Sequence, residues 1–180
     1  MSEPIPMPAA PQDVVQFDRQ PPVSTEAEVS VLGGMLIDGD AVAKAIEIVD
    51  DSQFHRESNR RLYRAMTRMF ERGEALDVIT VSEELKRAGE LDEVGGLEYL
   101  ASLLDAVPTA ANIEYHARIV REKALMRRLI SAAQTIVRDV YEPGQKDVET
   151  ILDEAEQKIF RVAESHDREG FVWIKEILWP

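Results

Sequence analysis

Apolar residues recur along most of this chain at spacings of three and four, the period of an amphipathic helix. Leu32, Met35 and Leu36 mark a first helix. It is expected to open at Thr25, which with Glu28 has the spacing of a capping box, and to end near Asp38-Gly39. Asp40 is placed to cap a second helix, with Val42, Ala45, Ile46 and Val49 inward. A third covers residues 57–72, with Leu62, Ala65, Met66, Met69 and Phe70 on one face and Gly73 closing it. Thr80 with Glu83 makes another capping-box pair, and Gly89 ends that short helix. Leu97, Leu100, Ala101 and Leu104 mark a fifth. Strand-like alternation is confined to residues 76–81, too few to build a sheet, so the pattern predicts an all-α fold.

After Pro108 the pattern changes. Asn112 can cap a helix that meets neither Gly nor Pro until Pro143-Gly144, a length of about 45 Å at 1.5 Å per residue. The roughly 90 residues of helices before it should form a small globular head with a radius of gyration near ~12 Å. A helix this long must project from such a body. Beyond the Pro-Gly turn, Val148, Ile151, Leu152, Ala155, Ile159 and Val162 form one stripe, so the two helices make an antiparallel hairpin. The apolar arc of the long helix, from Tyr115 to Tyr141, spans roughly 160°, and a single neighbour needs only about 100°. The surplus implies that the hairpin packs against another chain; the alternative is that it folds back on its own head. The predicted organisation is a tail at residues 1–22, a helical head at 23–110, a hairpin at 112–164, and a linker with the start of a further helix at 165–180. Six of the nine prolines fall in the first 22 residues, which precludes regular helix there.

Charge and composition exclude several classes of function. With 34 Asp and Glu against 21 Lys and Arg, the net charge of -13 does not suit a basic, phosphate-neutralising nucleic-acid binder. There are no cysteines, hence no disulfide, thiolate metal site or cysteine nucleophile, and a reducing cytoplasm fits. The longest apolar stretch, residues 29–37, is far below the ~20 needed to span a bilayer. No phosphate-cradling glycine loop can be drawn, and His55, His116 and His166 have no partners at ligand spacing. No catalytic, cofactor or metal residue emerges. The one strong charge feature is a ridge at i,i+4 spacing, Arg60, Arg64, Arg68 and Arg72. It would meet either DNA or a partner, or else pair with acidic neighbours such as the stretch between Glu74 and Asp105, with nine acidic and two basic residues.

Taken in order, the motifs resemble a known family. Pro21-Pro22 through Glu26-Ala27-Glu28 and Val31-Leu32-Gly33 open the series. Phe54, Leu62-Tyr63, Arg72-Gly73-Glu74, Asp77-Val78-Ile79-Thr80-Val81 and Gly95-Gly96-Leu97 with Tyr99-Leu100 continue it. Val107-Pro108-Thr109-Ala110-Ala111-Asn112, Ile119-Val120-Arg121-Glu122-Lys123, Arg127-Arg128-Leu129 and Leu152-Asp153-Glu154-Ala155-Glu156 complete it. Together they resemble the amino-terminal domain of bacterial replicative DNA helicases of the DnaB type, over about residues 20–180. Val29, His55 and Asn59 stand where that family usually has Gln, Tyr and His, changes that read as compatible with a surface. Trp173 and Trp179 are further departures, in the linker.

The resemblance implies a head and hairpin that assemble as a collar and recruit primase, without catalysis of their own. The ATPase motor, with its ATP and Mg, would lie in a further domain, and DNA would be met mainly there. Implied partners are further copies of the chain (a dimer, a trimer of dimers or a hexamer), primase and a helicase loader, all in the cytoplasm. Ile119, Met126, Ala133 and Val140, seven apart, suit a helix–helix seam or oligomer interface. Tyr99, Ile130, Ile136, Val137 and Tyr141 are candidates for a subunit or primase interface. Phe171, Ile174, Ile177 and Leu178 would dock the linker. The competing reading is a free-standing helical adaptor.

Overall fold

In a computed structural model of the chain, residues 20–167 are described, with side chains through Glu164. The helices are α1 (Thr25–Ile37), α2 (Gly39–Ile48), α3 (Glu57–Glu71), α4 (Val78–Ala88), α5 (Leu91–Val94), α6 (Gly96–Ala106), α7 (Ile113–Tyr141) and α8 (Val148–Asp167). A 3-10 turn (Asp51–Gln53) links α2 to α3. The described residues contain no strand, and the fold is all-α. Residues 1–19 of the expected tail, and the linker positions Phe171, Ile174, Ile177 and Leu178, lie outside the described residues.

The helix starts differ from expectation by a residue or two, for local reasons. Ser24, not Thr25, caps α1: its hydroxyl accepts the Ala27 N–H at 3.3 Å. Replacing Ser24 by alanine should cost about 1 kcal/mol, read as a fall of about 2–4 °C in a thermal melt. Asp38, not Asp40, caps α2 by accepting the Asp40 N–H at 3.0 Å. In α4 the reciprocal box joins Asp77 and Thr80. Asp77 Oδ1 accepts the Thr80 N–H at 2.8 Å, and Thr80 Oγ1 accepts the Asp77 N–H at 3.0 Å. These bonds hold the Asp77 carboxyl below its ordinary range. The alternation at 76–81 is therefore a helix start: Val81 is buried inward, and Ile79 lies in water. Gly73 and Gly89, at φ 69° and 71°, end α3 and α4 in the left-handed conformation. Expectation omitted the single turn α5. Of the residues that mark α6, Leu100 is buried while Leu97 and Leu104 are exposed, and Leu103 is the other buried leucine of that helix.

α1 lies at the centre of the head, with Val31, Leu32 and Met35 fully enclosed. It approaches α6 and the chain before α7 closely because Gly33 and Gly34 carry no side chain. A Cβ on Gly33 would stand 2.7 Å from both the Leu103 carbonyl oxygen and Val107 Cγ2, and one on Gly34 3.2 Å from Ile113 Cδ1. α3 contributes Leu62, Ala65, Met66 and Met69, while Phe70 sits at the surface. The Phe54 and Tyr63 rings pack with centroids 4.9 Å apart, and the Tyr63 hydroxyl donates to the Val49 carbonyl at 2.6 Å. Burial pushes the Tyr63 hydroxyl well above its ordinary pKa.

One polar chain crosses this core. Glu28 is only 2% exposed; its carboxylate accepts the His55 N–H at 2.6 Å and Asn59 Nδ2 at 2.7 Å. The Tyr99 hydroxyl donates to Asn59 Oδ1 at 2.6 Å. Glu28 is thus withdrawn from capping α1, and Asn59 is fully buried rather than a surface variation. Buried polar groups persist when each finds a partner, and this chain ties α1, α3 and α6 together.

α7 belongs to both parts of the molecule. Ile113, Ala117, Val120 and Ala124 are buried at the head. Beyond Ala124 no described residue of α7 is fully buried. The head and hairpin therefore meet within α7, some three turns after Asn112, where the hairpin was expected to begin.

Candidate functional site

α7 has 29 residues and runs for about 44 Å. Its outer part is paired with α8 through the turn at Pro143-Gly144. One ion pair joins the two helices, with Lys158 Nζ 3.1 Å from Asp139 Oδ2, and another ties the turn to α8, with Lys146 Nζ 2.8 Å from Glu154 Oε2. Lys158 holds the Asp139 carboxyl below its ordinary range. Ala132, Ile136 and Asp139 on α7, and Ile151, Ala155, Lys158 and Val162 on α8, are half-buried along this seam.

The root of the hairpin is fastened to the head by arginines. Arg127 donates to the carbonyls of Pro22 at 2.7 Å and Gln53 at 2.5 Å, and Arg128 donates to Ser52 Oγ at 2.9 Å. Burial lowers the pKa of Arg127 from its ordinary value. Pro22, expected to belong to the free tail, is therefore tied to α7.

The outer hairpin also carries many exposed apolar residues. On α7 these residues are Met126 (47%), Leu129, Ile130, Ala133, Val137, Val140 (57%) and Tyr141 (83%). At 100° per residue they fall within an arc of about 120°. On α8, Val148, Leu152 (58%), Ile159 and Phe160 are exposed. Each stripe is offset from the seam in the same rotational sense about its own axis. Because the helices are antiparallel, the two stripes emerge on one side of the hairpin as a continuous face. Contiguous exposed apolar residues of this kind are candidates for contact with another molecule.

The expected site residues divide three ways. Met126, Ala133 and Val140 lie in this face, uncovered by the described residues, together with Ile130, Val137 and Tyr141. Ile119 packs against the head core, and Ile136 turns toward α8. Tyr99 is half-buried with its hydroxyl directed inward to Asn59, and burial raises its pKa. Sequence reasoning did not place Leu129, Leu152, Ile159 or Phe160 in the site. Dividing each apolar stripe by the seam would have found them, since about half of each arc is used within the hairpin.

The arginine ridge of α3 is engaged by the chain's own acids. Arg61 reaches Glu90 at 3.2 Å and Glu93 at 2.8 Å, and Arg64 reaches Asp51 at 2.5 Å. Arg68 lies 3.9 Å from Glu90, and Arg72 contacts Glu74 at 2.7 Å and Glu84 at 3.0 Å. Arg60 donates to the Phe54 carbonyl at 2.7 Å. The ridge matches the acidic-pairing expectation rather than a bare phosphate-binding surface. Among the described residues no group of three or more His, Asp or Glu is placed to hold a metal, and no helix is long and apolar enough to cross a membrane.

Comparison with known proteins gives a consistent result. Residues 20–122 match the family described as the DnaB-like helicase N terminal domain. The replicative DNA helicase DnaB of Geobacillus stearothermophilus is 44% identical over 161 residues, 89% of this chain and 35% of that protein. DnaB of Mycobacterium leprae is 42% identical over 91% of this chain and 27% of its own length. The chain thus spans about a third of these relatives. The crystal structure of the N-terminal domain of DnaB helicase from Mycobacterium tuberculosis superposes with a TM-score of 0.76 at 43% identity, covering 79% of this chain and 99% of that one. A DnaB-like replicative helicase, described with its interactions with primase, shares the fold at 23% identity and a TM-score of 0.63, over 77% of this chain and 31% of its own. The family match takes in the head and the first turns of α7, and the chain belongs to the DnaB-like helicase N-terminal domain family.

Proposed function

We propose that this chain is an assembly and partner-docking domain of a replicative DNA helicase, non-catalytic in itself, whose hairpin face joins copies of the chain and recruits primase. The observation that carries the reading is the continuous exposed apolar face of α7 and α8 in a domain of this family. Met126, Leu129, Ile130, Ala133, Val137, Val140 and Tyr141 form its α7 half, while Ile119 anchors α7 in the head and Ile136 serves the seam behind the face. Tyr99 supports the head behind it, and Phe171, Ile174, Ile177 and Leu178 serve as linker contacts. Self-association is as a dimer, a trimer of dimers or a hexamer, and a helicase loader is a further partner. The whole helicase would unwind DNA in the cytoplasm with ATP and Mg at a separate motor domain. The ion-paired arginine ridge favours leaving DNA mainly to that motor. The free-standing adaptor reading gains no support from relatives that carry this segment within much longer chains.

Burying an isoleucine contributes about 1.5–3 kcal/mol, so Ile130→Asp should weaken self-association at least about tenfold. Sedimentation velocity checks this: the native chain should sediment as a dimer or larger species, and the variant as a monomer with an unchanged helical circular dichroism spectrum. An unchanged sedimentation coefficient for the variant would remove the face from the interface. A native chain that neither self-associates nor gives heat with the helicase-interaction domain of primase would refute the function itself.

A further inference from the structure

Where α8 returns to the head, a cleft of about 480 Å³ lies between the end of α2, α7 and α8. Its apolar lining is Ile46, Ile48 and Val49. Val49 is buried, but Ile46 and Ile48 are only half-buried. Around them stand Glu47 from α2, Arg128 from α7 and Arg161 from α8. A cleft of this size, part apolar and part charged, falls in the range of ~300–1,000 Å³ that receives a bound group.

The chain itself supplies the nearest occupant. Arg161 and Glu164 stand on the cleft wall, and α8 ends at Asp167, one turn further on. The residues that follow, Arg168-Glu169-Gly170-Phe171-Val172-Trp173, therefore start at the rim of the cleft. The six positions from Asp167 to Trp173 can reach up to about 20 Å. Arg161 lies only about 9 Å back along α8. The segment is thus long enough to turn back, and Gly170 permits the reversal. Its chemistry runs in the matching order, with charged residues 168 and 169 for the rim and apolar residues from Phe171 onward for the lining. The expected linker contacts, Phe171, Ile174, Ile177 and Leu178, leave Trp173 without a role.

We propose that this cleft is the seat of Trp173: the chain turns back on leaving α8, and the indole covers Ile46 and Ile48. Glu169 then meets Arg128 and Arg161 at the mouth. An indole seated on apolar surface contributes far more than such exposed charge pairs, so Trp173 is the anchor and the charges set its approach. The linker then starts from a fixed point at the root of the hairpin, whatever it meets further along. The inference stands on the cleft and the segment beside it, and is independent of the reading of the outer hairpin face.

The chain has two tryptophans, Trp173 and Trp179, so Trp179→Phe leaves Trp173 as the sole indole reporter. Its emission should be blue-shifted from that of the urea-unfolded chain, and acrylamide should quench it about threefold less. Ile48→Asp in the same background should return both readings toward the unfolded values while helical circular dichroism is retained. The chain has no cysteine, so a nitroxide can be placed singly on Glu47→Cys at the cleft, or on Glu98→Cys, an exposed site on α6. Only the label at position 47 should quench Trp173, a test that leaves the apolar lining intact. Water-exposed emission from the native chain overturns the proposal, as does shielding that survives Ile48→Asp or equal quenching from the two labels. Shielding that persists in the Ile130→Asp variant supports the cleft; shielding lost there means that a second copy covers the indole, and overturns it.

Discussion

Replacing Gly33 by valine should lower the melting temperature of the domain by about 6–12 °C, a destabilisation of about 3 kcal/mol. The site has no room: even a Cβ would come within 2.7 Å of a backbone carbonyl oxygen and of Val107 Cγ2. The Leu103 carbonyl cannot rotate aside as a side chain would, so α1 and α6 must separate, opening voids around Leu32 and Leu103, which are fully buried. Valine also gains helix propensity over glycine, but by well under 1 kcal/mol, too little to offset the clash. Circular dichroism melts of the variant beside Gly39→Val give the comparison. Gly39 has nothing within 4 Å of its would-be Cβ, so its substitution controls for propensity alone. Equal melting temperatures for the two variants would show that the close approach of α1 to α6 is not required.

The second large effect is expected at Glu28. Glu28→Ala removes the acceptor for two donors, the part-buried His55 N–H and the fully buried Asn59 Nδ2. An unpaired buried donor costs about 1–3 kcal/mol, and Asn59 Nδ2 becomes one, so the variant should lose about 2–3 kcal/mol in urea unfolding. Glu28→Gln retains one acceptor oxygen and should lose less. The double variant Glu28→Ala with Asn59→Ala should be less destabilised than the sum, because the second change removes a donor that the first left unpaired. Strict additivity would show that the two side chains do not act as a unit.

Much of this architecture was legible in the chain because helical periodicity and glycine stops are local signals. Gly73 and Gly89 ended helices where expected, and Leu62, Ala65, Met66 and Met69 faced inward as their spacing required. What was not legible depended on partners distant in sequence. Glu28 has the spacing of a cap residue, yet its carboxylate is drawn to Asn59, 31 residues away. Tyr99 is drawn inward by the same asparagine, 40 residues away. The excess apolar arc of the hairpin was legible as an excess. Its division into a seam and an outward face was not, since that depends on the rotational setting of α8 on α7, which Lys158 and Asp139 help to fix.

The sharing of α7 between head and hairpin has a consequence for cooperativity. Had the hairpin been attached by a flexible joint, it could have frayed or melted by itself without disturbing the head. Instead Ile113, Ala117 and Val120 anchor in the head core the same helix that displays Ile130 and Val137 outside. Unwinding of the inner turns must therefore carry the global unfolding free energy, and the outer turns inherit a preformed helical template that needs no nucleation. Any partner that covers the outer face then stabilises the whole domain by mass action, because the face is lost whenever the head unfolds.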